Sequence, residues 1–264
     1  MREPTGPVAF LLDLDGTLYA GGAAVPGAPE AVARLRSRGV PYRLVTNTTT
    51  RSRAMLVDRL RGYGFAVEPD EIFTATLAGA AAVRASRRSV VAPFLPVPGL
   101  ADLGGLELVG GSSGRKGPAP EVVLVGDLGE AWTYALLQEA FEYLMSGATL
   151  IALSRDRYWQ NAGRLALDAG PFVAALEHAT GQAATVAGKP SSAFYVGALA
   201  SLGVAEPARV AMVGDDLWSD VQGAQRAGLE GWLVRTGKFR DDILRQSGVT
   251  PDRVLASVAA LVSA

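Results

Sequence analysis

Short β-branched runs alternate with longer amphipathic stretches along most of this chain, and that alternation is the pattern of parallel strands joined by crossover helices. Residues 8–13 read as a buried strand, 29–38 as a helix stopped by Gly39, 42–46 as a second strand running into a polar loop, and 52–61 as a helix closed by Gly62. After Ile72 an Ala-rich helix begins, followed by a Pro- and Gly-rich tract over 93–120 with little periodicity. Within it, 110–117 reads as a surface loop, since Arg115 and Gly117 stand where a phosphate-binding loop requires Gly and Ser or Thr. A strand at 122–125, a helix at 132–144, a strand at 149–153 and a helix at 172–180 form a further α/β set ending near Val186. From Gly188 the first pattern resumes, with a helix through Leu202, a strand at 209–213, a helix to Ala227 and a strand at 231–234. The expected fold is α/β: a parallel-sheet core split into 1–77 and 187–264, with an α/β domain inserted over 78–186.

Composition narrows the chemistry. The 264 residues contain no cysteine and one histidine, which removes thiolate nucleophiles, disulfides and zinc clusters and leaves acid, base and metal work to carboxylates. Lys and Arg number 25 against 26 Asp and Glu, so the chain lacks the basic excess of a nucleic-acid binder and a small substrate is expected. No apolar run reaches the roughly 18 residues of a spanning helix, and the stretch at 8–12 is too short for a signal peptide. No membrane partner is expected, and the cytoplasm is the expected compartment.

Asp13-Leu14-Asp15-Gly16-Thr17 stands where the first strand ends, and in open parallel sheets the carboxyl ends of strands border the ligand crevice. Two carboxylates one residue apart leave a strand end close together but inequivalent, so one can attack while the other handles a proton. Attack on phosphorus is assigned to Asp13, giving an aspartyl phosphate, and proton transfer to Asp15. Like charges facing an anionic phosphate require a cation among them, and oxygen ligands suit Mg²⁺. Gly214-Asp215-Asp216, four residues before Asp220, follows another strand. Asp215 is expected to ligate the metal, Asp220 to orient its ligands or pair with a lysine, and Asp216 to serve in either capacity. Thr46-Asn47 end the second strand with a hydroxyl, an amide and backbone N–H groups for phosphate oxygens, and Lys189 adds a fixed positive charge. His178 lies on a helix with nothing to activate it, and Trp132, Phe141 and Leu144 fall at helical spacing suited to core packing. Arg155, Asp156, Tyr158 and Trp159 follow a strand of the insert, as a substrate-recognising loop or an ordinary one.

These pieces, in this order, resemble the haloacid dehalogenase (HAD) superfamily of phosphatases. Residues 13–19 look like its first motif, Thr46-Asn47 the second, Lys189 the third, and Gly214-Asp215-Asp216 with Asp220 the fourth. The large insert, with Tyr158-Trp159 and the stretch from Gly170 to Pro190, is similar to the class IIA cap, and Thr46-Asn47-Thr48-Thr49 resembles the branch that contains phospholysine phosphohistidine inorganic pyrophosphate phosphatase. The resemblance implies a Rossmann-like core, Mg²⁺ held by Asp13, Asp15 through its backbone carbonyl and Asp215, a cap over a small phosphorylated substrate, and a homodimer through the cap. Alternatives on the same fold are a phosphotransferase and a phosphometabolite-binding protein that does not turn over. Carbon–halogen cleavage needs neither a leaving-group acid nor a divalent metal, so Asp15 and Asp215 argue against it.

Overall fold

A strand buried along its whole length must be covered on both faces, and Ala9–Asp13 and Val210–Gly214 are buried at every position. In the computed structural model, which describes residues 7–161 and 164–262, these two strands pair in parallel at the centre of a six-stranded sheet. The order is Arg253–Leu255, Glu230–Val234, Val210–Gly214, Ala9–Asp13, Tyr42–Thr46, Ile72–Thr74. Successive strands run outward from Ala9–Asp13 in one direction and from Val210–Gly214 in the other, so the order reverses between the two. Leu12, Leu44, Leu56, Leu60, Val213 and Trp232 fill one continuous core, with the Phe10 ring set edge-on to Trp232 at 5.6 Å.

The chain divides into two compact units. The first comprises residues up to Thr46, Ala54–Phe73 and everything from Lys189; the second comprises Asn47–Arg53 and Thr74–Gly188. The short Asn47–Arg53 segment joins the second unit through two tethers: the Asp127 N–H donates to Thr49 Oγ1 at 2.9 Å and the Arg53 N–H to Asp102 Oδ2 at 2.9 Å.

The second unit has a five-stranded parallel sheet, ordered Thr185–Val186, Thr149–Ala152, Val122–Val125, Val90–Phe94, Glu107–Leu108. The strand Val90–Phe94 runs into the tract that reads as aperiodic, and Pro93 is the reason it escapes a pattern search, since proline weakens a ladder. The carbonyls of Ser89 and Val91 accept from Glu107 and Val109, whereas those of Val90 and Phe94 accept from Glu121 and Gly126. Pro93 is therefore turned toward the two-residue strand Glu107–Leu108, beyond its end, where no ladder bond is forfeited. An antiparallel hairpin, Tyr158–Asn161 with Arg164–Leu167, completes this unit in a region expected to be loop. The fourth helix of the sequence reading begins later than expected, at Tyr134, because Thr133 caps it by accepting from the Leu136 N–H. Trp132 is left outside it, stacked between Phe94 and Phe172.

In the first unit one ion-pair network ties the helix Ala28–Ser37 and the strand Tyr42–Thr46 to the turn before Ile72. Glu71 accepts from Arg36 at 2.5 and 2.7 Å, from the Tyr42 hydroxyl at 2.5 Å and from the Glu68 N–H at 2.8 Å. Partial burial opposes the charge, but these donors prevail and hold the carboxyl below its ordinary range. The stabilisation is thus present above the unfolded carboxyl's titration and fades as pH falls through the lowered folded value. Glu71→Gln should lower stability near pH 7 by about 1–2 kcal/mol, and by much less below about pH 3. Urea melts at the two pH values check this, and a loss of equal size at both would contradict it.

Candidate active site

Ligand crevices in open parallel sheets form at the carboxyl ends of strands where the order reverses. Here that point lies between Asp13, the last residue of its strand, and Gly214, the last of its neighbour. Asp13 is buried and Asp15 exposed, which makes the two carboxylates inequivalent. Just past Asp13 the chain turns: Leu18 and Tyr19 N–H groups bond back to the Leu14 carbonyl, and Gly16 takes φ +85°. A Cβ on Gly16 would fall 2.0 Å from Asp215 Oδ2, so only glycine allows both the turn and the close approach. The turn also brings the Tyr19 hydroxyl back to donate to Asp15 Oδ2 at 2.8 Å. Burial and the Asp15 charge push that phenol up, so it remains a donor.

Lys189 reaches the same point from the start of the last chain segment. Its Nζ donates to Asp13 Oδ1 at 2.5 Å and Asp220 Oδ1 at 2.7 Å, with all three side chains buried. Burial alone would discharge the ammonium, but the two carboxylates hold its pKa well above the ordinary value. Asp220 is held in turn by the Asp216 N–H on Oδ2 at 3.2 Å, so both its oxygens are engaged. Asp216 caps the following helix through the Trp218 and Ser219 N–H groups and pairs with Lys238 at 2.9 Å.

Carboxylate oxygens of Asp13, Asp215 and Asp220 lie within 4.8 Å of one another. With Asp220 committed to Lys189 and Asp216, Asp13 and Asp215 are the two whose oxygens remain to face a cation. Asp215 Oδ2 accepts from the Lys238 N–H at 2.6 Å, and its Oδ1 accepts no bond among the described residues. Three buried carboxylates against one ammonium leave two negative charges, which one divalent cation would balance. Burial, then the Asp220 charge, raises the Asp215 carboxyl to about 7. An all-oxygen, charge-deficient cluster fits Mg²⁺.

Thr46 closes the strand beside Asp13, since Val45 is the register partner of Asp13. Asn47 opens the second unit, where its Oδ1 would stand 2.7 Å from a Cβ on Gly188, the residue before Lys189. The structure thus gathers Asp13, Lys189, Asp215, Asp216 and Asp220 into one bonded cluster, with Asp15 and Thr46 at the adjoining strand ends. Other residues fall elsewhere. His178 is exposed on its helix, Arg155 pairs with Glu177 at 2.6 Å, and Trp132, Phe141 and Leu144 pack in the core of the second unit. The sequence reading assigned no role to the Tyr19 hydroxyl or to Thr236–Gly237–Lys238. For the latter, a Thr-Gly-Lys just past the strand Glu230–Val234 was a strand-end signal of the kind used for the other residues.

Two family models fit this chain: one for haloacid dehalogenase-like hydrolases over residues 10–94 and a related HAD-hydrolase-like one over 186–261. Human haloacid dehalogenase-like hydrolase domain-containing protein 2 is 44% identical over 234 residues, 88% of this chain and 85% of that one. The chain belongs to the haloacid dehalogenase-like hydrolase family. Within the family it falls in the class IIA branch, and several of its relatives and structural neighbours are named phosphatases. Human phospholysine phosphohistidine inorganic pyrophosphate phosphatase is 36% identical over 268 residues, covering 99% of this chain and 95% of that one. The p-nitrophenyl phosphatase from Archaeoglobus fulgidus superposes with a TM-score of 0.88 at 30% identity, covering 98% and 99%. Both matched segments carry a part of the carboxylate cluster, Asp13 in one and Lys189, Asp215 and Asp220 in the other. The intervening residues 95–185 lie outside both.

Proposed function

We propose that this HAD hydrolase is a Mg²⁺-dependent phosphatase of small phosphorylated substrates that works through an aspartyl phosphate on Asp13. The observation that carries the reading is the buried Lys189, shared between Asp13 and Asp220 at 2.5 and 2.7 Å, which fixes the orientation of one carboxylate in a net-negative cluster at the sheet's reversal point. Asp13 attacks phosphorus and the leaving-group bond breaks. Asp15, exposed and held by Tyr19, gives its proton to the departing oxygen and then takes one from the water that releases phosphate. Thr46, Asn47 and Lys189 bind the phosphoryl oxygens. Asp13, Asp215 and the Asp15 carbonyl would hold Mg²⁺, which when bound offsets the negative charge of the phosphoryl group and the carboxylates. The relatives' names suggest a phosphoric monoester, a phosphoamide or pyrophosphate as substrate.

Turnover of p-nitrophenyl phosphate should require Mg²⁺, vanish with EDTA and return when Mg²⁺ is added back in excess. Turnover that survives EDTA would sink the metal assignment. A phosphorylated ligand that raises the melting temperature without any turnover across a metabolite panel would favour the binding-protein alternative.

A homodimer through the second unit is part of the same reading. Its hairpin leaves Tyr158, Leu165 and Leu167 exposed, and a second copy would cover them. Light scattering at micromolar concentration should give a dimer mass for the parent and a monomer for Leu165→Glu; a monomeric parent contradicts this. Among the described residues no helix is long and apolar enough to cross a membrane. The cytoplasm remains the proposed location.

A further inference from the structure

Thr236–Gly237–Lys238 follows the strand Glu230–Val234 and takes no step in the chemistry above, yet it bonds to both strand ends that carry the carboxylates. Thr236 Oγ1 donates to the Gly16 carbonyl at 2.5 Å, on the turn between Asp13 and Tyr19. The Lys238 N–H donates to Asp215 Oδ2 at 2.6 Å, and its Nζ donates to Asp216 Oδ2 at 2.9 Å. Gly237 sits between them at φ +59°, where a Cβ would stand 2.0 Å from Asp215 Oδ2 and 2.5 Å from Gly16 Cα. The segment is anchored at its start by the Arg235 N–H on the Leu255 carbonyl at 2.9 Å and closed by the Phe239 N–H on the Thr236 carbonyl at 3.1 Å.

We propose that Thr236, Gly237 and Lys238 form a positioning clamp that selects Mg²⁺ by holding Asp215 to one-oxygen coordination. The inference rests on the reading that Asp13 and Asp215 hold a divalent cation. A free carboxylate on a short stem can rotate and offer a cation both oxygens. With Oδ2 tied to a backbone N–H, Asp215 offers only Oδ1. Mg²⁺ demands near-ideal octahedral geometry, whereas Ca²⁺ accepts two-oxygen carboxylates and a looser shell, so a rigid one-oxygen ligand favours the smaller ion. Thr236 holds the Gly16 carbonyl, and with it the turn that follows Asp13, in register with that oxygen. Lys238 Nζ, on a side chain 66% exposed, adds little to stability and acts by keeping its own N–H on Asp215.

Isothermal titration of the protein with Mg²⁺ and separately with Ca²⁺ tests the clamp without reference to turnover. Thr236→Val keeps shape and removes the hydroxyl; Lys238→Met keeps the stem and removes the charge; Lys238→Arg restores it. Thr236→Val should weaken Mg²⁺ binding by about 10-fold or more, the usual effect of losing a group that orients a metal ligand, and Lys238→Met by a smaller factor of about 3-fold or more, because the backbone N–H on Asp215 survives that exchange. Ca²⁺ affinity should change by less than about 3-fold, because its shell tolerates a rotated carboxylate. Lys238→Arg should recover most of the Mg²⁺ affinity. Equal losses for both ions, or Mg²⁺ affinities in both variants within about 2-fold of the parent, would overturn the clamp while leaving the cation site intact. A parent protein that binds neither ion would instead remove the cation site itself and the clamp with it.

Discussion

Asp13→Asn should fold and bind Mg²⁺ weakly, yet turn over p-nitrophenyl phosphate at least about 10⁴-fold more slowly than the parent at saturating metal, the scale of loss when a catalytic nucleophile is removed. The substitution is nearly isosteric, so packing around the buried side chain is preserved and the loss falls on kcat. An amide has no anionic oxygen to place on phosphorus. The exchange also removes one of three crowded carboxylates and leaves Lys189 with Asp220, so the melting temperature of the metal-free protein should hold or rise. Activity within about tenfold of the parent would mean that water, activated elsewhere, does the attacking.

Lys189→Met should be damaging in two separable ways. The ammonium holds Asp13 Oδ1 and Asp220 Oδ1 in a buried setting, at 2.5 and 2.7 Å. Its removal leaves carboxylates facing one another out of water, a loss of about 3–5 kcal/mol by analogy with broken buried pairs. The carboxylates can escape by taking up protons, so the deficit should shrink as pH falls. Adding Asp220→Asn to Lys189→Met removes one of the two unpaired charges and should recover much of the stability. It should recover none of the turnover, because no ammonium remains beside Asp13 to orient it and to meet the transferring phosphoryl group. Denaturant melts and kcat on the same three proteins separate the two effects. A double variant that regained activity would show that Lys189 serves folding alone.

The fold was legible because its central strands are apolar throughout and end in residues with chemistry. Ala9–Asp13 runs from four apolar side chains into a carboxylate, and Val210–Gly214 runs straight into Asp215. Each strand end could therefore be read as a position on one sheet edge before any contact was known. What escaped has identifiable causes. Glu107–Leu108 and Thr185–Val186 are two residues long and carry no period at all. Val90–Phe94 contains a proline that is harmless only because its neighbour stops short of it. The hairpin Tyr158–Asn161 and Arg164–Leu167 keeps apolar side chains on its exposed face, so alternation does not mark an inside. Around the carboxylates, the hold of Lys238 on Asp215 runs through a backbone N–H, which every residue but proline possesses and no sequence pattern can announce. The bond from Tyr19 to Asp15 is similar: it depends on the turn at Gly16, and Tyr19 alone reads as core.

The central claim is that phosphorus becomes covalently attached to the carboxylate of Asp13, and chemical trapping reads this directly. Enzyme mixed with substrate and Mg²⁺ is quenched in acid within the first turnover and treated with borohydride, which reduces an acyl phosphate to the alcohol. Peptide mass spectrometry should then find homoserine at position 13 and nowhere else, in an amount that tracks the burst of released alcohol. Turnover at the parent rate with an unmodified Asp13, or with homoserine at another position, would contradict the account.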